Sequence, residues 1–375
     1  MPSKKYDPYP FVIRSIYFDF WLQTVNLFIP LDQETILLPN VRKIKKGNDN
    51  NQKAFEIEII ADFKERMLSL NDAINSYLAN HNSEYHVFES YEINGWIRYI
   101  MTQILKKSNY EVKILNYSIP ITKSINYDAA KQINCLIGGP RGMGKSWLGM
   151  YIANKLATLE VPTQLFIIDY KQSDASRLNT LLPKKRVACT KEEIFSLLEH
   201  FINLMHKRRE FINDKSEFGT TAVKLEMPLY YLWYDEFGAF TPTLTTSEKK
   251  KHDDLLSQLV LLGRQYNFGI LAIMQQVSVT NSGLNSNIKQ QFGMIVHMGS
   301  DTKESYRQTF GTTYEIPRVN LTRGQGLIWM QGERVIQPFY APDLSNIDIW
   351  QSFKKNLKNQ NDDKYLKMYK TSEFK

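Results

Sequence analysis

The segment Gly139–Ser146 limits the folds open to this chain more than any other feature. It reads Gly-Pro-Arg-Gly-Met-Gly-Lys-Ser, follows the apolar run Ile133–Ile137 and precedes a helical pattern. This spacing is typical of a phosphate-binding loop (Walker A), in which a glycine-rich turn between a strand and a helix wraps backbone N–H groups around phosphates. The start of the helix adds a positive dipole end and free N–H groups. The motif therefore predicts a P-loop nucleotide-binding fold.

The loop also predicts the ligands and the first site residues. Lys145 is expected to reach the terminal phosphates of ATP, and the Ser146 hydroxyl is expected to ligate Mg²⁺. The residues of this loop that we expect to contact the nucleotide are Gly139, Pro140, Arg141, Gly142, Met143, Gly144, Lys145, Ser146 and Trp147. A glycine turn with an incidental lysine is the alternative, and so many fixed positions in this context argue against it.

An acidic motif completes the predicted site. The run Leu229–Tyr234 is apolar and predicts a buried strand, which delivers Asp235 and Glu236 at its carboxyl end. Asp235 is expected to hold Mg²⁺ through water, and Glu236 to orient and polarise the attacking water. An acidic pair that faces solvent is the alternative. A kinase needs no water-activating glutamate at this position, so the pair favours ATP hydrolysis over phosphoryl transfer to a metabolite.

Short apolar runs alternate with helical segments from about residue 133 onward. Besides the two strands named above, Leu165–Ile168, Ile270–Met274 and Met294–Met298 are candidate buried strands. Thr190 and Glu193 have the spacing of a capping box, which predicts the start of a helix. Alternation of this kind indicates an α/β fold with a mostly parallel sheet that is covered by helices on both faces.

Three regions are predicted along the chain. Residues 1–125 form a small N-terminal α/β module of unknown role, residues 126–345 form the P-loop domain, and residues 346–375 form a charged C-terminal tail. In the module, Phe55–Ile60 alternates like a strand with one buried face. A helix is predicted from the spacing of the apolar residues Met67, Leu70, Ala73, Ile74 and Leu78.

The composition limits which cellular compartment and which classes of partner fit this chain. A net charge of +8 permits nucleic acid or anionic lipid as a partner without establishing either. Cys135 and Cys189 make no disulfide framework and fit no zinc-ligand spacing, which favours a reducing compartment. The apolar stretch Ile16–Leu31 is interrupted by polar residues and is too short to span a bilayer. We therefore expect a cytoplasmic protein that has no membrane span and is recruited to membranes only by a partner.

Further motifs follow one another in the order of a known ATPase family. Asp169-Tyr-Lys171 is similar to an Asp-Pro-Lys motif that follows the second strand of that family. Arg264, within Gly-Arg-Gln, and Gln275 after the next strand resemble its Gly-Arg segment and its sensor glutamine. The match continues through Ile288–Phe292, Phe310-Gly311, Gly324–Gly326 and Phe339–Pro342. Over roughly Ile133–Pro342 the chain resembles the FtsK/SpoIIIE (FtsK/HerA-type) P-loop DNA translocases, and it looks most like the coupling ATPases of Gram-positive conjugative elements.

The resemblance implies a RecA/FtsK-like motor domain that assembles into a ring, usually a hexamer, with ATP between neighbouring subunits and DNA through the ring. Arg264 is then the candidate arginine finger that acts on the neighbour's ATP, and Gln275 the sensor of the γ-phosphate. The alternative for Arg264 is a solvated or helix-terminal arginine, and the alternative for Gln275 is a simple strand-end hydrogen bond. Coupling members carry DNA to a secretion channel, so a relaxase and a membrane channel are the implied partners.

The chain departs from the family pattern at two places. Tyr170 stands where the family has proline, and Gln276-Val277 replaces an Arg-Pro pair after the sensor. These changes leave the ATP chemistry intact and put the coupling between ATP state and DNA grip in doubt.

Two basic runs are open to interpretation. Lys249–Lys251 either reaches DNA in the pore or forms a solvated helix face, and Lys207–Arg209 is expected to end a helix and complement its dipole.

Three hypotheses about function follow. The first is an ATP-driven DNA translocase, in particular the coupling protein that delivers DNA during conjugative transfer. The second is a packaging or secretion ATPase that acts on phage DNA or on a protein cargo. The third is a non-catalytic factor that uses ATP binding only to hold subunits together. Hydrolysis that DNA stimulates would separate the first hypothesis from the third.

Overall fold

The chain divides into two compact units. The computed structural model describes residues 16–32, 35–44, 52–80, 83, 85–103, 117–122, 125–159, 163–215, 218–277, 284, 286–317, 319–357 and 360–369. The smaller unit is built from the described residues within Met1–Lys106, Glu315–Asn320 and Val335–Phe339. The larger unit is built from those within Lys107–Tyr314, Leu321–Arg334 and Tyr340–Lys375.

Among the described residues, the smaller unit combines a four-stranded sheet with three helices. Its elements are α1 Ile16–Thr24, β1 Ile29–Pro30, β2 Ile36–Leu37, β3 Val41–Ile44, β4 Gln52–Glu58, α2 Lys64–Leu68, α3 Asn71–Asn80, β5 Tyr85–Ile93 and β6 Trp96–Gln103. The sheet has the order β3-β4-β6-β5 and is antiparallel throughout. The predicted helix is divided between α2 and α3. Both pack apolar residues into a core that includes Phe18, Phe55, Met67, Ile74 and Tyr99.

A buried carboxylate lies in this small sheet, on the interior strand β4. Glu56 of β4 is fully buried, and its two carboxylate oxygens lie 2.6 Å from Arg42 and 2.5 Å from Arg98. The ring of Trp96 lies under the Arg42 guanidinium at 3.9 Å. A buried charge without partners would be strongly destabilising, so the two arginines explain how Glu56 is tolerated. This arrangement is structural, and no nucleotide-binding motif lies in this unit's described residues.

The later part of the chain carries ten strands and eight α-helices among the residues described. They are β7 Ser118–Pro120, β8 Asn126–Asp128, β9 Cys135–Gly138, α4 Lys145–Ala157, β10 Gln164–Asp169, β11 Val187–Ala188, α5 Lys191–Lys215, β12 Tyr230–Asp235, α6 Phe237–Phe240, α7 Thr246–Leu262, β13 Phe268–Ile273, α8 Ser286–Lys289, β14 Met294–Met298, α9 Lys303–Phe310, β15 Gln325–Met330, β16 Gln337–Tyr340, α10 Ile349–Asn356 and α11 Asp362–Tyr365. Short 3₁₀ turns are Ala175–Thr180, Thr241–Thr243 and Gly263–Tyr266.

The central sheet has eight strands in the order β11-β10-β12-β13-β9-β14-β15-β16. The pairs from β11 to β14 are parallel, and β15 runs antiparallel to β14. All five strands predicted from apolar runs are present, as β9, β10, β12, β13 and β14. Because these strands are parallel, their carboxyl ends meet at one edge of the sheet, where α/β proteins bind ligands. The predicted α/β P-loop fold class is confirmed.

Burial explains why the central strands have no polar alternation. Every residue of β10, β12 and β13 is buried, so both faces of the sheet are covered. Tyrosine residues in these strands stack with phenylalanines of neighbouring strands, as Tyr230 does with Phe268 at 4.6 Å between ring centroids. These aromatic side chains therefore form part of the buried core of the sheet.

Helix α5 confirms one prediction about local structure and contradicts another. The capping box is present, since Glu193 N–H donates to Thr190 Oγ1 at 3.3 Å and Thr190 N–H donates to Glu193 Oε2 at 3.0 Å. The prediction that Lys207–Arg209 ends a helix is wrong, because α5 continues to Lys215. Arg208 is fully buried there and donates to the backbone carbonyls of Pro228, Tyr266, Tyr365 and Leu366. These acceptors, rather than a helix end, satisfy its charge.

The C-terminal segment packs against the outer part of the sheet. Gln360 accepts hydrogen bonds from the backbone of Leu165 and from Arg186, both at 2.9 Å. Asp362 pairs with Arg186 at 2.6 Å.

Among the residues that the structure describes, no helix is both long and apolar enough to cross a bilayer. Cys135 and Cys189 are free thiols.

Candidate nucleotide-binding site

The P-loop connects β9 to α4 at the carboxyl edge of the sheet. Gly139 has φ +129°, and a Cβ there would lie 2.3 Å from the carbonyl oxygen of Met298, so only glycine fits. Gly144, with φ +106°, immediately precedes α4, whose first residue is Lys145. Positive φ angles of this kind are what a glycine-rich loop needs to curl around phosphates. The predicted strand–loop–helix context of the motif is present.

Lys145 carries the positive charge of the loop. Its Nζ donates to the carbonyl oxygen of Pro140 at 2.8 Å, so the ammonium lies within the loop. Burial lowers the pKa of Lys145, while the nearby carboxylates Glu236 and Asp235 raise it. Lys145 is 7% exposed. A buried cation within a P-loop is suited to bind phosphate oxygens.

Asp235 ends β12 in a polar, buried cluster. Its partner in the neighbouring strand is Asp169, the last residue of β10. Ser173 Oγ lies between the two carboxylates, 3.0 Å from Asp235 Oδ2 and 2.9 Å from Asp169 Oδ2. Burial raises the pKa of Asp235 to about 6, the Ser173 hydrogen bond lowers it, and the charges of Asp169 and Glu236 raise it further. A bound cation would relieve this unfavourable concentration of negative charge.

Glu236 is held by two polar side chains from neighbouring strand ends. Gln275 Nε2 donates to Glu236 Oε2 at 3.3 Å, and Lys171 Nζ lies 3.4 Å from the same oxygen. Glu236 has φ +49°, a left-handed conformation that is uncommon for a non-glycine residue. Residues in such conformations concentrate at functional sites. The structure therefore brings together Glu236, Gln275 and Lys171, which the sequence analysis named from separate motifs.

The donor set fits a magnesium ion that is shared with phosphates. Among the described residues no group of three His, Cys, Asp or Glu side chains has the arrangement of a protein-only metal site. Mg²⁺ instead prefers one or two protein oxygens together with waters and substrate phosphates. Ser146 in the first turn of α4 and Asp235 are such oxygens. Asp169 Oδ1 is buried and has no hydrogen-bond partner, which adds an acceptor for a water molecule beside them.

Arg264 lies away from the site residues of its own chain. It is exposed in the turn Gly263–Tyr266, before the start of β13, whereas Gln275 follows the end of that strand. The six residues of β13 separate these two ends by about 20 Å at roughly 3.3 Å per residue. A Cβ on Gly263 would lie 2.1 Å from the carbonyl oxygen of Phe268, so the Gly-Arg pair marks a close backbone approach.

Two residues near the loop were missed by the sequence analysis. His297 of β14 pairs in register with Gly138, the residue before the P-loop. Its Nδ1 lies 2.8 Å from Thr309 Oγ1, and burial lowers its pKa to about 4, so the ring is neutral at pH 7. Ser173, which bridges the two aspartates, was also missed. A single histidine or serine inside an apolar or loop segment gives no spacing signal, so neither was recognisable from the sequence.

The departures from the family pattern have local packing explanations. The Tyr170 ring lies 5.3 Å from the ring of Phe240, in the helix that follows Glu236. Val277 is buried, and a Cβ on Gly138 would lie 2.5 Å from its Cγ2. Both substitutions therefore contact elements of the nucleotide site.

In the lysine run Lys249–Lys251, Lys251 lies 2.5 Å from Glu199 of α5 and Lys250 is exposed, an arrangement expected of a solvated helix face.

Comparisons with known proteins were made on sequence and on structure. No protein-family profile matches the chain. The FtsK domain-containing protein YdcQ of Bacillus subtilis (strain 168) is 26% identical over 245 residues, which cover 64% of this chain and 50% of YdcQ. The chain thus spans about half the length of this curated relative. The sequence likeness confirms the resemblance to FtsK-type proteins that the motifs predicted.

Solved structures give the same fold. The monomer form of the pCW3 conjugation coupling protein TcpA with ATPγS has a TM-score of 0.55 and 14% identity, over 90% of this chain and 97% of that chain. ATPases 2 and 3 of EssC from Geobacillus thermodenitrificans have a TM-score of 0.51 and 17% identity, over 67% of this chain and 50% of that one. At these identities the likeness establishes the fold, that of the FtsK-like P-loop ATPases.

Proposed function

We propose that this chain, an FtsK/SpoIIIE-type P-loop ATPase by fold and by sequence likeness, hydrolyses ATP to move DNA, as the coupling protein that delivers DNA during conjugative transfer. The observation that carries the proposal is the convergence of Lys171 and Gln275 on the carboxylate of Glu236, beside a P-loop lysine. A protein that only binds ATP needs the loop. It does not need a carboxylate that is positioned to orient an attacking water molecule.

The P-loop supplies the binding part of the mechanism. Backbone N–H groups of the non-proline residues from Gly139 to Trp147 surround the phosphates. Lys145 exchanges its contact with the Pro140 carbonyl for the terminal phosphate oxygens. Ser146 and Asp235 would hold Mg²⁺, which would supply positive charge to offset that of the bound phosphates. Binding this cation also favours the ionised form of Asp235, whose pKa burial raises. Affinity for Mg²⁺ should therefore increase with pH around 6.

Glu236 supplies the hydrolytic part. Its carboxylate orients the attacking water in line with the γ-phosphate and accepts a proton as the bond forms. Lys171 and Gln275 both contact Oε2, which leaves Oε1 as the oxygen available to water. Gln275 is positioned to lose or keep this hydrogen bond according to whether a γ-phosphate is present, which is the sensor role that we propose for it.

Arg264 acts in this proposal on the ATP of a neighbouring subunit. Its exposure, and its position before β13 and away from its own chain's P-loop, support action in trans. An arginine that reaches a neighbour's γ-phosphate stabilises the charge that develops in the transition state. The two exposed leucines at the end of α7, Leu261 and Leu262, precede this turn and are suited to a surface that another copy covers. A homo-oligomeric ring, usually six subunits in this family, is therefore the proposed active form.

We propose DNA as the cargo because its phosphates are negatively charged and this chain carries a net positive charge. A net charge of +8 per chain becomes a concentrated positive field when several copies surround one axis. The likeness in fold to TcpA, a conjugation coupling protein, supports DNA delivery, with a relaxase and a membrane channel as partners. The likeness in fold to EssC supports the second candidate, a secretion ATPase with a protein cargo.

DNA-stimulated hydrolysis separates these candidates. We expect the rate of ATP hydrolysis by assembled protein to rise on addition of duplex or single-stranded DNA. DNA affinity should fall with salt, with a log–log slope of about −0.9 per neutralised phosphate on duplex and about −0.7 on single strands. Oligomeric state should be followed in parallel. Equal rates with and without both forms of DNA, in assembled rings, would reject the translocase proposal and favour a protein cargo.

A further inference from the structure

A histidine that the proposed mechanism does not use lies buried next to the acidic strand end. His252 of α7 is fully buried, and its Nε2 lies 3.1 Å from the hydroxyl of Tyr234, the residue before Asp235 in β12. Its Nδ1 lies 3.8 Å from the carboxylate of Asp253 and has no hydrogen-bond partner among the described residues. A carboxylate at that distance favours a proton on Nδ1, so Nε2 accepts the hydrogen bond that the Tyr234 hydroxyl donates.

Aromatic side chains from three neighbouring elements pack around the His252 ring. Among the described residues, four ring centroids from α5, β12 and α6 lie 5.4 to 6.4 Å from it, those of Phe195, Tyr234, Phe237 and Phe240. Tyr170 extends the group, since its ring lies 5.3 Å from that of Phe240. Together these side chains form a cluster that we call the aromatic box: Tyr170, Phe195, Tyr234, Phe237, Phe240 and His252.

The aromatic box includes chain neighbours of two residues that meet in the proposed site. Phe237 directly follows Glu236, and Tyr234 is fully buried two residues before it. Tyr170 directly precedes Lys171, whose Nζ lies 3.4 Å from Glu236 Oε2. Glu236 holds φ +49°, and an unfavourable backbone conformation of this kind persists only where surrounding contacts fix it. The buried rings on either side of Glu236 supply such contacts.

We infer that His252 is a positioning residue for ATP hydrolysis, which fixes the aromatic box and thereby holds Glu236 beside Lys171; the inference rests on the proposed role of Glu236 as the base. His252 acts through the Tyr234 hydroxyl and the rings around it, while the P-loop binds the phosphates. When the hydrogen bond is lost, the end of β12 is free to shift, and a displacement of about 1 Å at a reacting group can lower the rate about a hundredfold. Loss of His252 should therefore slow hydrolysis without weakening ATP binding.

The experiment separates positioning from stability by changing both partners of the hydrogen bond. The kcat of ATP hydrolysis, the affinity for Mg²⁺-ATP and the urea midpoint are measured for the wild type, His252→Leu, His252→Gln, Tyr234→Phe and the double variant His252→Leu/Tyr234→Phe. Each apolar single change leaves a buried polar atom without its partner and should destabilise the fold, whereas the double variant removes both atoms and should recover most of the stability. We expect its kcat to stay roughly tenfold to a hundredfold below the wild type, with ATP affinity unchanged. His252→Gln, whose side-chain oxygen can accept from Tyr234, should restore most of the kcat.

A second comparison tests whether the effect passes through Glu236. Glu236→Gln and His252→Leu/Glu236→Gln should have the same residual rate, because a residue that positions the base has no effect once the base is gone. The matched control is His206→Leu. His206 also joins α5 to α7, with its Nε2 3.3 Å from Gln258, and this variant should keep the kcat of the wild type.

Recovery of both stability and kcat by His252→Leu/Tyr234→Phe would overturn the inference, because His252 would then act only on the fold. A rate for His252→Leu/Glu236→Gln below that of Glu236→Gln would also overturn it, as would an equal loss of kcat in His206→Leu. Normal turnover by Glu236→Gln would reject the proposed base, and the inference with it. If kcat falls as expected and DNA does not stimulate hydrolysis by the wild type, the assignment of His252 stands and the translocase proposal fails.

Discussion

Replacement of Asp235 by asparagine should make the nucleotide-free protein more stable, although it removes a proposed magnesium ligand. Burial, with the charges of Asp169 and Glu236, raises the pKa of Asp235 from 3.8 to about 6. The folded state therefore binds this proton more tightly than the unfolded state. The associated stability is fully present below about pH 3.8 and is lost as pH rises through about 6. At neutral pH the wild-type protein folds with an unfavourable buried charge.

The magnitude follows from the change in pKa. Each tenfold change in an acid constant corresponds to about 1.4 kcal/mol, so the rise to about 6 corresponds to about 3 kcal/mol at pH 7.5 and about half of that at pH 5. Asparagine has nearly the shape of the protonated carboxyl, carries no charge, and still accepts the Ser173 hydrogen bond. Asp235→Asn should therefore exceed the wild type in free energy of unfolding by about these amounts.

Urea unfolding at pH 7.5 and at pH 5, without nucleotide or Mg²⁺, measures this difference. Asp254→Asn, an exposed aspartate of α7, is the matched control and should change stability by less than about 0.5 kcal/mol at either pH. Addition of Mg²⁺-ATP should stabilise the wild type more than Asp235→Asn. If Asp235→Asn is less stable than the wild type at both pH values, then the carboxylate stabilises the fold, and the reasoning from burial is refuted.

Three further substitutions test the remaining roles. Lys145→Ala should fold normally but lose nucleotide binding and turnover, measured by calorimetry and phosphate release, because its charge contacts the loop and not the core; an unfolded variant would contradict this. Glu236→Gln should keep ATP affinity, since Mg²⁺ is held by Ser146 and Asp235, yet lose roughly 10²–10⁴-fold in hydrolysis rate; normal turnover would exclude Glu236 as the base. Arg264→Ala chains mixed with Lys145→Ala chains should regain part of the activity, because one kind of mixed interface keeps both groups. No recovery in rings shown to mix would exclude action in trans.

The P-loop and the acidic strand end were predictable because their chemistry depends on local order. Each motif is short, follows an apolar run, and needs no distant residue to be recognised. The strands of the central sheet were predictable for the same reason, since a strand buried on both faces reads as a continuous apolar run. Strand β15, which runs antiparallel to β14, contains the short apolar run Leu327–Met330 but was not identified as a strand. Strand β16, Gln337–Tyr340, has no such run and was not identified either.

Contacts between distant residues were not predictable. Ser173 bridges Asp169 and Asp235 only because β10 and β12 are neighbours in the sheet, and strand order does not follow from any one segment. Arg208 was misread for a similar reason. A basic run looks like a helix end, whereas in the structure the side chain binds carbonyls that come from 20 to 158 residues away.

Movement of DNA is the central claim, and displacement of a bound obstacle measures it directly. The substrates are duplex DNA with a triplex-forming third strand and single-stranded DNA with streptavidin at a biotinylated end. With ATP, wild-type rings should displace the obstacle from at least one substrate, and Glu236→Gln rings should bind the same DNA without displacing anything. Hydrolysis by wild-type rings without displacement from either substrate would contradict the claim that this ATPase moves DNA.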